Sequence, residues 1–481
     1  MDIPVIILEL SVGVLALALL LLDLWTPSQQ KRELGWVAVV VLGLVLAGSF
    51  LFNTGQGLTA FGGLYVLDGL GMFFKRLFLV AAIAVIVMSM HGADPLAEGV
   101  VEYYALVLLA LMGMMFAASA NDFSLLFVSL ELITVTFYVL VAIQRKRLYA
   151  IEAGIKYLVM GGLASAFLVY GIALVYGASG TLNYVALAAR ETELVQSPIF
   201  VAGMLLVLIG LGFKIAAFPF QLWVPDVYQG AATPTTAFLA AGSKAAGFIL
   251  LLRLFGLTCP SLAENWRPLW MILAAVTILY GNLCAIPQRN VKRLLGYSGI
   301  AHAGYMLLGL TTLTPEGFAA ILFYLAGYLF AVLGVLFVVG QVEGGPRAED
   351  LESLVGLHQR SPLLAAAMAL SMVSLAGLPP MAGFFGKFLL LKAVFVQGAN
   401  DPRFYWLGAV ALAGVVTSIY YYLAVVRSLY WANTHLAENH PLVPARATRM
   451  SLYCCMIGLI VLGVFPGPVM DWTVQIMAAI L

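Results

Sequence analysis

Four ionisable residues stand inside long apolar runs, where a charge is costly. Lys214 follows the run from Phe200 to Phe213 and precedes Ile215-Ala216-Ala217-Phe218. Lys244 lies within Ala237 to Leu252, Lys387 within Leu363 to Val396, and Glu131 within Phe123 to Ile143. At the centre of a membrane span, a Lys or Glu costs about 2.5–3.5 kcal/mol on insertion scales. One such residue could snorkel to the surface, but four need a shared explanation. Their chemistry suggests a path for protons or cations through the bilayer. An amine held in low dielectric releases its proton more readily, while a carboxylate beside it favours the charged form. A carboxylate that moves therefore switches its neighbour, which is what a pump needs. The alternative is a static buried pair that fixes helix packing, and such pairs say little about stability.

The elements that must hold these groups are helices in lipid. Hydrophobic residues make up 63% of the 481 positions and charged residues 10%, against roughly 25% charged in a soluble domain. The net charge of +1 gives no electrostatic case for nucleic acid. Cys259, Cys284, Cys454 and Cys455 form neither a C-x-x-C pair nor a zinc or iron–sulfur spacing, so no redox centre is expected in this chain. The run Ile3 to Leu22 lacks a basic leader and a small-residue cleavage site, and reads as a retained first span.

With about 20 apolar residues to a crossing, the runs fall near 3–24, 35–53, 70–90, 101–120, 122–143, 150–177, 198–219, 235–256, 268–286, 293–312, 316–340, 362–397, 404–430 and 449–470. The expectation is an all-α polytopic membrane protein with about 14 transmembrane helices, since continuous runs exclude the alternation of a barrel. Lys31-Arg32, Arg145-Lys146-Arg147, Lys292-Arg293 and the stretch from Arg427 to Arg449 share one side. The positive-inside rule makes that side cytoplasmic and puts both termini outside. The loop 341–361 is the longest polar connection on the inner side, with room for a short surface helix.

Phe218-Pro219-Phe220 interrupts the seventh run and Gly377-Leu378-Pro379-Pro380 the twelfth, each beside a lysine. Broken helices at membrane depth line protein or a polar cavity. Lys214 and Lys387 lie 173 positions apart, and the same offset carries Glu131 to within two residues of His302; the prolines do not keep it. Two inverted five-helix repeats are therefore expected. They would occupy 101–256 and 257–431, after three N-terminal helices in 1–100 and before a last helix in 432–481.

The segment Phe218-Pro219-Phe220-Gln221-Leu222-Trp223-Val224-Pro225-Asp226-Val227-Tyr228-Gln229-Gly230 resembles the F-P-F-H-x-W-x-P-D-V-Y-x-G signature of the antiporter-like subunits of respiratory complex I. Tyr297-Ser298-Gly299-Ile300-Ala301-His302-Ala303-Gly304-Tyr305 is similar to their Y-S-S-I-A-H-A-G-Y. Gly377 to Phe388 resembles the G-x-P-P-x-A-G-F-x-x-K-F of the subunit N type, the counterpart of mitochondrial subunit 2. The likeness covers the whole chain. Lys387 separates it from the M type, which has glutamate there, and the end at Leu481 from the L type with its C-terminal extension. Gln221 replaces the motif histidine, and Ala232 a common proline.

The resemblance implies a relay. Glu131 and Lys214 would form the first charge pair, Lys244 the central relay, His302 the bridge, and Lys387 the exit-side lysine. Lys156, one turn after Glu152, would serve the uptake side or form a snorkelling i,i+4 pair. A lysine bonded to carbonyls of the broken helix stays open for Lys244, and a histidine bonded to a backbone carbonyl for His302. Lys75 and Lys392 read as lying near span ends. The resemblance further implies that NADH, FMN, iron–sulfur clusters and quinone belong to the complex rather than to this chain. It implies other membrane subunits as partners, an M-type antiporter-like subunit among them, and a bacterial inner membrane. A multisubunit sodium/proton antiporter subunit and a non-conducting scaffold are the competing readings.

Overall fold

The computed structural model describes residues 3–52, 57–92, 99–342, 349–431 and 441–480. Its long helices are α1 (Ile7–Asp23), α2 (Leu34–Gly48), α3 (Gly69–His91), α4 (Val100–Ala118), α5 (Phe123–Val141) and α6 (Leu148–Ser179). There follow α7 (Pro198–Ile215), the short α8 (Trp223–Gly230) and α9 (Thr233–Thr258), then α10 (Arg267–Ala285), α11 (Val291–Thr312) and α12 (Pro315–Val342). The chain ends with α13 (Pro362–Ala376), α14 (Ala382–Gly398), α15 (Arg403–Trp431), α16 (Arg446–Val464) and α17 (Gly467–Ala478). Twelve of these helices are long and apolar enough to cross a membrane. Adding α11 and the interrupted α13–α14 gives the expected fourteen crossings.

Burial sorts the helices. Helix α9 is buried throughout its apolar window and α12 nearly so, whereas α1, α2, α6, α15 and α16 turn most of theirs outward. Outward residues such as Val14, Leu44, Val159, Trp406 and Ile457 are apolar and exposed, as a surface in contact with lipid or a partner requires. Trp25, Trp36 and Trp406 are exposed too, consistent with interface anchors.

Both expected breaks are present. Helix α7 ends at Ala216 in the left-handed region (φ 63°), and α13 at Gly377 (φ 81°). Each turn is followed by a cis X–Pro bond, Phe218–Pro219 and Pro379–Pro380. Protein receives the freed backbone. The Phe218 N–H donates to Thr277 Oγ1 of α10 at 3.1 Å, the indole N–H of Trp223 to the Phe213 carbonyl at 3.1 Å, and the Gly383 N–H to Ser374 Oγ at 3.1 Å.

The caps set a register that the charges did not. Ala216 and Gly377 lie 161 positions apart, so the offset of 173 between the lysines is not the offset of the breaks. Lys214 sits at the end of the helix before its break, and Lys387 in the helix after its own.

Three features go beyond the expectation. An antiparallel hairpin, β1 (Leu58–Ala60) with β2 (Tyr65–Leu67), pairs Ala60 with Tyr65 before α3 begins. Helix α9 carries π-helical turns at Leu239–Ser243 and Leu252–Thr258. Helix α17 follows the last crossing. The loop 341–361 does form short helical turns, at Leu351–Leu354 and Leu357–Arg360; its Gly344-Gly345-Pro346 lies outside the described residues.

Candidate functional site

The first charged group is built where α5, α6 and α7 meet. Asp122 caps α5 by accepting from the Ser124 N–H at 2.7 Å, which fixes the helix that carries Glu131 and Thr134. These two are one turn apart and share a face. Lys214 is buried and donates to Thr134 Oγ1 at 2.6 Å. Glu131 instead accepts from Ser165 Oγ at 2.5 Å. The expected direct pair is therefore replaced by two neighbouring bonds, because the nearer hydroxyl takes the ammonium and α6 supplies a donor to the carboxylate. Glu131 and Lys214 line one narrow cleft with Gly161, Ser165 and Gly210.

Lys244 opens the central α-helical segment of α9. Its ammonium donates to the Gly299 carbonyl of α11 at 2.6 Å and lies 5.7 Å from the centre of the Tyr328 ring. The alternative of a bond to carbonyls of the broken helix is not what is found, since this carbonyl belongs to α11. Gly299 is one turn before His302, and a methyl on it would stand 2.9 Å from the ammonium. This close approach is why glycine occupies the position.

His302 is buried and makes no bond to a backbone carbonyl among the described residues. Its Nδ1 meets Tyr324 Oη of α12 at 2.5 Å and its Nε2 meets Tyr422 Oη of α15 at 2.9 Å. A neutral imidazole has one donor and one acceptor nitrogen, so one tyrosine donates to the ring while the other accepts from it. Exchanging those roles moves a proton from one side of the ring to the other. Tyr328 and Tyr305 flank the ring at 5.0 and 6.3 Å between centroids.

Lys387 completes the row. It donates to the carbonyls of Leu375 and Ala376 at 3.0 Å each and to Ser418 Oγ at 3.3 Å. The two carbonyls are the last of α13, so the cation meets the negative end of a helix. Its ammonium also lies 5.0 Å from the Tyr305 ring centre.

Lys156 stands apart from this row, at the surface end of α6. It pairs with Glu152 at 2.7 Å and with Asp226 at 2.8 Å, and Asp226 also takes Arg293 at 2.6 Å. The i,i+4 pair is thus present, extended across α8 to α11. Gln221, at the motif's histidine position, is buried with its Oε1 unpartnered.

Sequence reasoning missed a second buried charge cluster. Lys75, read as lying near a span end, is fully buried on α3 and pairs with Glu9 of α1 at 2.7 Å. Tyr65 Oη accepts from Lys75 at 2.6 Å and donates to Glu9 at 2.9 Å. Close by, Arg253 grips Asp68 with two bonds of 2.8 and 2.9 Å and donates to the Ala118 carbonyl at 2.8 Å. Glu9 and Arg253 are charges within apolar runs, the same signal that exposed Lys214.

The profile of a family described as the transmembrane region of NADH:quinone oxidoreductase and Mrp antiporters matches residues 120–413. NADH-quinone oxidoreductase subunit N of Desulforamulus reducens is 40% identical over 463 residues, which covers 96% of this chain and 95% of that one. A chain of respiratory complex I from Thermus thermophilus, solved with bound Aureothin, superposes with a TM-score of 0.80 at 34% identity, covering 96% of this chain and 98% of its own. A chain of the Mrp complex from Dietzia sp. DQ12-45-1b gives a TM-score of 0.85 at 21% identity over 98% and 97% of the two chains. That last likeness is one of fold.

Proposed function

This chain belongs to the NADH:quinone oxidoreductase/Mrp antiporter transmembrane family, and we propose that it is the subunit-N-type, proton-conducting membrane subunit of a proton-translocating NADH:quinone oxidoreductase. One observation carries the reading. Lys214, Lys244 and Lys387 are buried at membrane depth with hydroxyls and carbonyls as bonded partners, and none has a carboxylate within ion-pair distance among the described residues. A scaffold would neutralise its buried cations, as Lys75 and Arg253 are neutralised. The row of lysines keeps groups that can lose and regain a proton without breaking a salt bridge.

In this reading a change at a neighbouring subunit alters the coupling of Glu131 to Lys214 across their shared cleft. Protons then redistribute through Lys244 and His302 to Lys387, with Lys156 and Asp226 at the uptake side. NADH oxidation, flavin, iron–sulfur and quinone chemistry belong to other subunits of the complex. The chain sits in a bacterial inner membrane, with both termini on the outer side, next to further membrane subunits including an M-type antiporter-like one. Residues 101–256 and 257–431 act as two halves, each with its break, between the helices of 1–100 and 432–481.

The test is NADH-driven proton uptake in inverted membrane vesicles carrying Lys214→Ala, with NADH oxidation measured alongside. Loss of both in an assembled complex is expected. Unchanged rates would remove Lys214 from the mechanism, and a fall confined to sodium-dependent proton exchange would favour an antiporter.

A further inference from the structure

Three phenols between the two lysine sites have no assigned role. The hydroxyls of Tyr138, Tyr157 and Tyr228 are shielded from solvent and have no hydrogen-bond partner among the described residues. Tyr157 and Tyr228 are wholly buried side chains. Buried hydroxyls in folded proteins are partnered, and where protein offers nothing the partner is ordered water.

Their rings, with that of Trp223, lie in successive contact. Tyr138 Oη lies against Gly161, which walls the cleft of Glu131 and Lys214. Tyr157 meets Tyr138 edge-on, with 5.2 Å between ring centres. The Trp223 indole follows at 4.8 Å from Tyr157 and 6.4 Å from Tyr228. Its N–H is already engaged by the Phe213 carbonyl, so this ring is a wall rather than a link. Tyr228 and Tyr328 then converge on Gly299, where a methyl would stand 3.4 Å from Tyr328 Oη and 4.0 Å from the Tyr228 ring. Gly299 is the residue whose carbonyl holds Lys244. Tyr328 in turn packs 5.0 Å from His302.

We propose that Tyr138, Tyr157 and Tyr228 line a water-bridged hydroxyl chain that carries a proton between the Glu131–Lys214 cleft and the Lys244–His302 centre. The step balances simply. Each hydroxyl takes a proton onto a lone pair from one water and releases its own to the next. One proton enters, one leaves, and no electron moves. The chain gives the two lysine sites a route that needs no lysine side chain to swing between them. The proposal rests on the proton-conducting reading above.

The experiment uses the intact complex in inverted membrane vesicles and compares Tyr157→Phe, Tyr228→Phe and Lys244→Ala. NADH-driven proton uptake, NADH oxidation, the ratio of rates in H2O and D2O, and the amount of assembled complex are recorded together. Each Tyr→Phe change keeps the ring packing and removes only a hydroxyl, so assembly should match the native protein. The expected result is uptake lost in Lys244→Ala and lowered about tenfold in Tyr228→Phe, the rate factor of one hydrogen bond missing from a barrier, with an altered isotope ratio. Tyr157→Phe should move both readouts the same way, and it decides the outcome if Tyr228→Phe fails to assemble. Native uptake and isotope ratio in both phenylalanine variants, with Lys244→Ala still inactive, would overturn the hydroxyl chain and leave the conducting reading intact. Native uptake in Lys244→Ala would overturn the conducting reading and the chain with it.

Discussion

The ammonium of Lys387 donates to the carbonyl of Ala376 across a break in the helix, at 3.0 Å. The cation thereby terminates α13, a task given to the neutral indole of Trp223 at the other break, where the Phe213 carbonyl is received. Two breaks with the same kind of cap have been closed by different chemistry. Only in the second is the terminating group itself able to carry a proton.

Gly377 makes that arrangement possible, and Gly377→Ala should disturb it twice. The left-handed backbone there (φ 81°) strains any L side chain, at a cost of about 1–2 kcal/mol. The added methyl would also stand 2.8 Å from Lys387 Cδ. Lower thermal stability of the purified complex and a severalfold loss of proton uptake are expected. A stable, fully active variant would show that Lys387 does not depend on the break.

Gly299→Ala probes the centre. Its methyl would reach the Lys244 ammonium at 2.9 Å, so the ammonium must shift on its carbonyl. Uptake measured in vesicles should fall while the amount of assembled complex holds. Equal activity would mean that the Lys244–Gly299 bond is dispensable.

The row of titratable residues was legible because lipid makes every charge conspicuous. Their partners were not, since Thr134, Ser165, Tyr324 and Tyr422 are unremarkable letters in apolar runs and come from other helices. Lys75 was passed over because its partner Glu9 is distant in sequence, and because nothing in the apolar pattern marks the nearby hairpin that brings Tyr65 onto it. The break register was hidden by Ala216, which takes a left-handed cap without the glycine that marks Gly377. A tyrosine in an apolar run looks the same whether its hydroxyl is partnered or not, so Tyr138, Tyr157 and Tyr228 gave no signal of their own.

The Glu9–Lys75 pair predicts an asymmetric mutational pattern. Lys75→Met alone leaves a buried carboxylate uncompensated and should cost about 3–5 kcal/mol. Glu9→Leu together with Lys75→Met should restore much of that loss, because both charges are gone. Thermal denaturation of the detergent-solubilised complex measures the difference; equal losses in the single and double variants would argue against a desolvated pair.

At the surface, Asp226→Asn should behave differently. The carboxylate holds Lys156 and Arg293, all three partly exposed, and such contacts contribute about 0–1 kcal/mol each. The stability loss should be small and should shrink as salt is raised from 10 mM to 1 M, roughly the range over which screening shortens from about 30 to 3 Å. A large, salt-independent loss would place Asp226 in a drier setting than its exposure indicates.

Lys244 and Arg253 are nine residues apart on α9, which in helical geometry is about 13 Å and half a turn. They therefore anchor the helix from opposite sides, one on Gly299 of α11 and the other on Asp68 and Ala118 at the ends of α3 and α4. In mechanical language, α9 is a shaft keyed at two points in opposition. Such a shaft ties the Gly299 contact on α11 to the ends of α3 and α4, so the two buried charge clusters share one helix.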